Sequence, residues 1–198
     1  MNPAHVNTAQ QIIGVARAAH AAVGEIAALL SYFELGHARA GSTRLAPESA
    51  PIAAVVHAAA VERLINAVLR LTDPRRDAAA SLAPVFIALS DAATFADVAA
   101  TGDGARLRSS AERWAALRDN PSLQLIREAW DATQARLLPR YDDVPPDAYD
   151  GFVASASEVL LVIADLAAGT GVASGELAPT VTARRAQADA YWTALTRA

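Results

Sequence analysis

Cysteine is absent from this sequence, and so is lysine. The first absence excludes disulfides and thiolate metal sites and suits a reducing compartment, so a cytoplasmic protein is expected. The second makes every one of the 17 basic residues an arginine, a pattern that reads as coding bias before it reads as function. Against 21 acidic residues these give a formal charge of −4, which excludes a global basic signal for nucleic acid. Any RNA contact must then be a local arginine patch. Aromatic residues are scarce at 6%, and clusters of β-branched residues are few and short. The opening "MNPAHVNTAQQ" has neither a charged n-region nor an apolar h-region, so no signal peptide is expected. The longest apolar runs, "IAAVVHAAAV" and "VLLVIADLAA", are short and interrupted, so no membrane span is expected.

What is present is alanine, about a quarter of the chain, within an apolar fraction of 53%. That composition excludes disorder of the whole chain and favours helices packed closely through small side chains. Val15, Ala19, Val23, Ile26 and Leu30 recur at helical spacing within a first segment from about Thr8 to Ala38. After a polar Gly/Pro-containing loop, Ser49 and Pro51 open a second helix. Its apolar stripe holds Ala54, His57, Ala58, Val61, Leu64, Ile65 and Val68, with Asn66 and Arg70 lying off it. Asp73-Pro74 ends it. One further segment spans residues 81–101, starting near Ser81 with Pro84 in its first turn, and Gly102 and Gly104 follow as a break. A shorter helix then carries Trp114 and ends at Asn120-Pro121. The next helix has the stripe Leu123, Ile126, Trp130, Thr133 and Leu137, and Pro139 stops it. Asp147 is placed to cap a long apolar helix bearing Phe152, Ala156, Val159, Leu160, Ile163 and Ala167. A Gly-containing joint leads to a last amphipathic helix with Val181, Ala188, Trp192 and Leu195. The expectation is an all-α, up-and-down helical bundle of about six to seven helices, two of them central. Residues 1–172 form the bundle, and a C-terminal helix over 173–198 follows a Gly-rich linker.

Side chains fit for catalysis are sparse. His5, His20, His37 and His57 all lie early in the chain, and none has the spacing of metal ligands. His57 shares a stripe with Val61 and Leu64 and reads as a buried polar group needing a hydrogen-bond partner, a structural role outweighing a catalytic one. The aspartates around "VPP" read as capping and solvation rather than a metal site, and no cofactor is implied. No phosphate loop and no nucleophile elbow is present. The arginines remain: Arg75 and Arg76, then Arg106, Arg108 and Arg113, then Arg136 and Arg140. Their forked guanidinium suits phosphate. The competing reading is solvated helix faces paired with acids, such as Arg127 with Asp131 four residues on.

Certain pieces in order resemble the abortive-infection (AbiU-type) branch of the HEPN superfamily. They are Tyr32-Phe33, Leu71-Thr72-Asp73-Pro74, Ser81-Leu82, the Trp114 helix, the helix from Pro121 and the apolar helix from Asp147. The resemblance covers roughly residues 30 to 170. It implies a helical fold, a homodimer, and in many members metal-free RNA cleavage in defence or toxin–antitoxin systems. The family's signature places an arginine, a polar residue, a short spacer and a histidine at the end of the helix from Pro121, where they would act by acid–base catalysis and charge stabilisation. Here that position reads "TQARLLPRYDD", with no histidine after it anywhere in the chain. Arg140 and Tyr141 stand at the histidine's spacing from Arg136, and arginine shuttles no proton at neutral pH. The resemblance therefore implies a catalytically degenerate protein that binds RNA or a protein partner through Arg127, Asp131, Arg136, Arg140 and Tyr141. Two alternatives stay open: a non-enzymatic interaction or scaffold module, and a small-ligand or enzymatic bundle with a pocket near His57 and Trp130.

Overall fold

The computed structural model describes residues 3–40, 50–74, 81–136 and 146–197. Among them are nine helical segments and no strand: α1 (Pro3–Ala21), α2 (Val23–Ala40), α3 (Ala50–Leu71), α4 (Ala83–Ala88), α5 (Ala92–Ala99), α6 (Gly104–Arg118), α7 (Pro121–Arg136), α8 (Pro146–Gly169) and α9 (Ala178–Arg197). The all-α bundle expected from composition and periodicity is present. Two segments expected to be single helices are each divided. Only Ala22 separates α1 from α2, and the stripe continues across it through Ala19, Val23 and Ile26. The 81–101 segment splits because Asp91 adopts extended backbone and its carboxylate accepts from the Thr94 amide at 2.8 Å, capping α5. The same device recurs at Asp103, which accepts from the amides of Ala105 and Arg106 and starts α6.

The core is organised by α8, which packs on α1, α2, α6 and α7. Every residue from Val162 to Thr170 is buried, so this helix has no solvent face there. Expected stripe residues Phe152, Ala156, Val159, Leu160, Ile163 and Ala167 are all in the core. α3, expected to be the other central helix, lies instead at the periphery, packed mainly on α2. Its buried face is Ala53, Ala60, Val61, Leu64, Ile65, Val68 and Leu69, whereas Ala54 and Ala58 face water. Val15 on α1 is likewise exposed rather than core.

The aspartate inside the apolar run of α8 has a structural explanation. Asp165 is buried, and its carboxylate accepts from Arg106 at 2.6 Å and from Ser109 Oγ at 2.7 Å. Arg113 stands 3.4 Å away and also holds Glu158 at 2.7 Å. Ser110 Oγ donates to the Val162 carbonyl. Residues 106, 109, 110 and 113 share one face of α6, so the otherwise polar helix carries a stripe matched to α8. Hydrogen bonds and charge together offset the desolvation of that carboxylate.

α8 ends in a Schellman motif. The Val172 amide donates to the Ala167 carbonyl at 2.8 Å, the Gly171 amide donates to Ala168, and Gly171 sits at φ +69°. The connection from there leads to α9, which docks on α2. Ala188 and Trp192 are buried in that contact, while Val181 and Leu195 are half-buried.

Three helical stretches are long and apolar enough to cross a membrane by length and composition: residues 8–38, 50–71 and 150–169. This corrects the expectation from uninterrupted apolar runs, because alanine extends hydropathy beyond the runs themselves. In α8 that apolar content lies against other helices of the bundle.

Candidate functional site

The C-terminal half of α3 is flanked by two open clefts. α1 packs on α4, α5 and α8 rather than on α3, leaving a wedge between them. The wedge is a cleft of about 500 Å³ with a floor that includes Ala18, Ala19, Ala22 and Ala67. Alanine side chains are too short to fill it. Its rim carries the Arg63–Glu25 ion pair at 2.6 Å, together with Asn66 and Arg70. On the other flank of α3 a second cleft, of about 380 Å³, lies against α7. Arg127, Trp130 and Asp131 line it from α7, and Asn66, Arg70 and Asp73 from the α3 side. Asn66 and Arg70 border both clefts and join them into one groove.

Charge is distributed unevenly along this surface. Arg63, Arg106, Arg113, Arg118 and Arg185 are each held by a carboxylate. Arg70 makes no ion pair among the described residues and is exposed. Arg127 is partly committed: its Nη2 donates to the Thr72 carbonyl and to Thr72 Oγ1, both at 3.0 Å. It thereby satisfies an orphan carbonyl at the end of α3, a place that favours a cation. It does not pair with Asp131, the partner that helical spacing suggests.

Of the expected site residues, Arg127 and Asp131 share the second cleft with Trp130. Arg136 is the last residue of α7, about two and a half turns beyond Arg127 on the same helix. Arg140 and Tyr141 lie outside the described residues, as do Arg75 and Arg76. His57 and Trp130 do not line a common cleft among the described residues. Asn66 and Arg70 were legible only as polar residues off an apolar stripe, a position that ordinarily means solvent. Among the described residues no group of three or more potential ligands is placed to hold a metal.

His57 belongs to a different place, the junction of α2, α3 and α9. Its ring lies nearly parallel to Phe33 at 5.7 Å between centroids and edge-on to Trp192 at 6.2 Å. His37 stacks on the same Phe33 at 6.1 Å. Trp192 donates through Nε1 to the Tyr32 carbonyl, and Tyr191 packs edge-on against Tyr32 and Trp192. Among the described residues, the buried His57 Nδ1 and Tyr191 hydroxyl have no hydrogen-bond partner, which corrects the expectation of a satisfied core histidine. Burial, with the nearby His37 charge adding to it, lowers the His57 pKa below its ordinary 6.5. Burial and Tyr32 raise that of Tyr191.

No family model matches the chain, and no curated protein or solved structure is significantly similar to it.

Proposed function

We propose that the protein is a HEPN-like helical binding protein without ribonuclease chemistry, acting in the cytoplasm as a homodimer in a phage-defence or toxin–antitoxin type system, and that RNA is bound along the groove beside α3. The observation that carries this reading is Arg70. It stands at the meeting point of two open clefts without an acidic partner among the described residues, while five other arginines are neutralised. Across the second cleft, Arg127 offers a second guanidinium and Trp130 a half-exposed ring on which a base would stack. The flanking segments supply Arg75, Arg76, Arg136, Arg140 and Tyr141 in sequence. Asp73 and Asp131 also line the cleft, so binding is expected to be moderate and strongly salt-dependent.

The order of helices supports the family reading. Tyr32-Phe33 falls on α2, the Leu71-Thr72-Asp73-Pro74 turn closes α3, Ser81-Leu82 precedes α4, Trp114 is on α6, and the long apolar α8 follows α7. Among the described residues, no histidine stands near the second cleft. RNA binding is measured by fluorescence anisotropy with single-stranded RNA at low salt. Arg70→Ala is expected to weaken it and to reduce the slope of log affinity against log salt by about one unit. No cleavage is expected from either protein, and cleavage lost on Arg136→Ala with Arg140→Ala would reverse the claim of degeneracy. Absence of binding at low salt removes RNA.

A second reading, an interaction module, is favoured by Ile52 and Val55, which are 61% and 70% exposed. With Ala59, Arg63, Asn66 and Arg70 they form one stripe at spacings of three and four along α3. An antiparallel two-fold pairing of α3 about its middle would lay the apolar half of one copy beside the groove of the other. Light scattering of Ile52→Asp with Val55→Asp tests this, with a monomer as the expected outcome.

A further inference from the structure

We propose that the α2–α3–α9 junction is an acid-released clasp, in which a proton taken up by His57 undocks α9 and uncovers the Tyr32–Phe33 face of α2. The geometry begins with Gly36. A Cβ at that position would come within 2.7 Å of His57 Nδ1 and 2.7 Å of Trp192 Cζ2. The absent side chain thus lets an α3 imidazole and an α9 indole meet against the backbone of α2. His57 is held there by ring contacts alone. Its Nδ1 is buried with no partner among the described residues, so in the neutral form it costs an unmade hydrogen bond. A proton added at Nδ1 would place a charged N–H in the same spot with no acceptor, against the ring of Phe33 and beside Trp192.

No carboxylate among the described residues is positioned to offset that charge. On α2, Glu34 is taken by Arg185 of α9 at 2.9 Å, and His37 is a second imidazole whose charge opposes that of His57. On α9, Arg184 donates to Gln187, Asp189 is itself engaged, and Tyr191 is a buried phenol. On α3, Arg63 is paired with Glu25, and Glu62 is exposed a turn and more beyond His57. Protonation is therefore relieved by separation. The element that can leave is α9, which is joined to α8 through a connection in which Gly171 and Gly175 have positive φ. Its departure frees the Tyr32 carbonyl from the Trp192 donor and exposes Phe33, now only 5% accessible.

The direction in pH follows from linkage. The docked state holds His57 below its ordinary value, whereas an undocked, hydrated His57 returns to it. Docking is thus fully in place above the ordinary value of about 6.5 and is lost as pH falls below it, at no more than about tenfold per pH unit for one proton.

Hydrogen exchange of the full chain, followed by mass spectrometry at pH 7.5 and pH 5.5 with intrinsic rates corrected, tests the clasp. The opening constant of α9 is expected to rise at the lower pH while α6 and α8 hold theirs. His57→Phe keeps an aromatic ring against Phe33 and Trp192 but cannot take a proton, so its α9 is expected to open equally at both values. Unchanged α9 protection in the wild type, loss of protection in all helices together, or a wild-type pH response retained in His57→Phe would each overturn the proposal. Should His57→Phe not fold, the imidazole titration of His57 in the wild type decides by NMR. A midpoint below that of an unstructured histidine supports the clasp, and one at or above it sinks the idea.

Discussion

Arg127 has two candidate partners, and the choice between them follows from solvent. Asp131, one helical turn on, is exposed, and an ion pair there competes with water on both sides. Thr72 is 2% accessible, and its carbonyl is among the last of α3, with no helical amide left to serve it. A guanidinium that meets this carbonyl satisfies an acceptor that water reaches poorly. Arg127→Ala is therefore expected to destabilise the fold by about 1–3 kcal/mol, while Asp131→Ala stays within about 0.5 kcal/mol. Urea unfolding followed by circular dichroism separates the two, and equal losses would contradict the assignment. The same contrast distinguishes Arg106 from Arg118. Arg106 serves the buried Asp165, so Arg106→Ala is expected to cost about 1.5–3 kcal/mol in the same measurement. The Arg118–Asp119 pair is fully exposed, and Arg118→Ala is expected to leave the midpoint unmoved.

At the scale of elements, two glycines allow arrangements that a Cβ would disturb. Gly171 at φ +69° closes α8, and a Cβ there would meet the Thr101 carbonyl oxygen at 2.3 Å. Gly171→Ala is expected to cost about 1–3 kcal/mol, visible as a lowered thermal midpoint. Gly36 has ordinary helical backbone, yet Gly36→Ala should loosen α9 at neutral pH, seen as faster exchange in α9 alone, because its cost is steric contact with His57 and Trp192. These cases mark what was legible. The helices α7, α8 and α9 could be read from periodicity, since Leu123, Ile126, Phe152, Ala188 and Trp192 are core at the spacing expected. Asp91 was a readable cap inside a segment taken as one helix. The peripheral place of α3 was not readable, because an alanine-rich helix shows a similar apolar pattern whether one or both faces are covered. Ala54 and Ala58 could face water at little cost. Nor was the groove readable, since it arises from where α1 is not, a fact of packing rather than of either helix alone. The pairing of α6 with α8 lay between the two cases. Asp165 interrupts the apolar run of α8, but only the packing shows that it is buried and met by Arg106, Ser109 and Arg113.

For the molecule as a whole, the question raised by composition is whether three long apolar helices belong in lipid or in one another. The answer depends on which faces their apolar atoms occupy. Of the most apolar 18-residue stretch of α8, 61% is buried within the bundle, whereas the corresponding stretches of α1–α2 and α3 are buried to 33% and 39%. The outward faces of these last two carry ions: Arg17 on α1, Glu25 on α2, and Glu62, Arg63 and Arg70 on α3 are all exposed. In a bilayer each charge near the centre of a span costs about 2.5–3.5 kcal/mol, and the Arg63–Glu25 pair would sit on the lipid side of two spans at once. In water the same side chains cost nothing, and the exposed alanines between them add little apolar area each. α6 adds a second constraint, since its polar stripe must stay against Asp165 while its other face, with Arg108 and Glu112, is wet. The fold therefore predicts a protein that stays in the aqueous phase. Mixed with liposomes of neutral lipid at pH 7.5 and floated through a density gradient, it should remain at the bottom. Co-flotation resistant to carbonate would mean that α3 and the α1–α2 pair leave the arrangement described here and turn their charged faces toward one another.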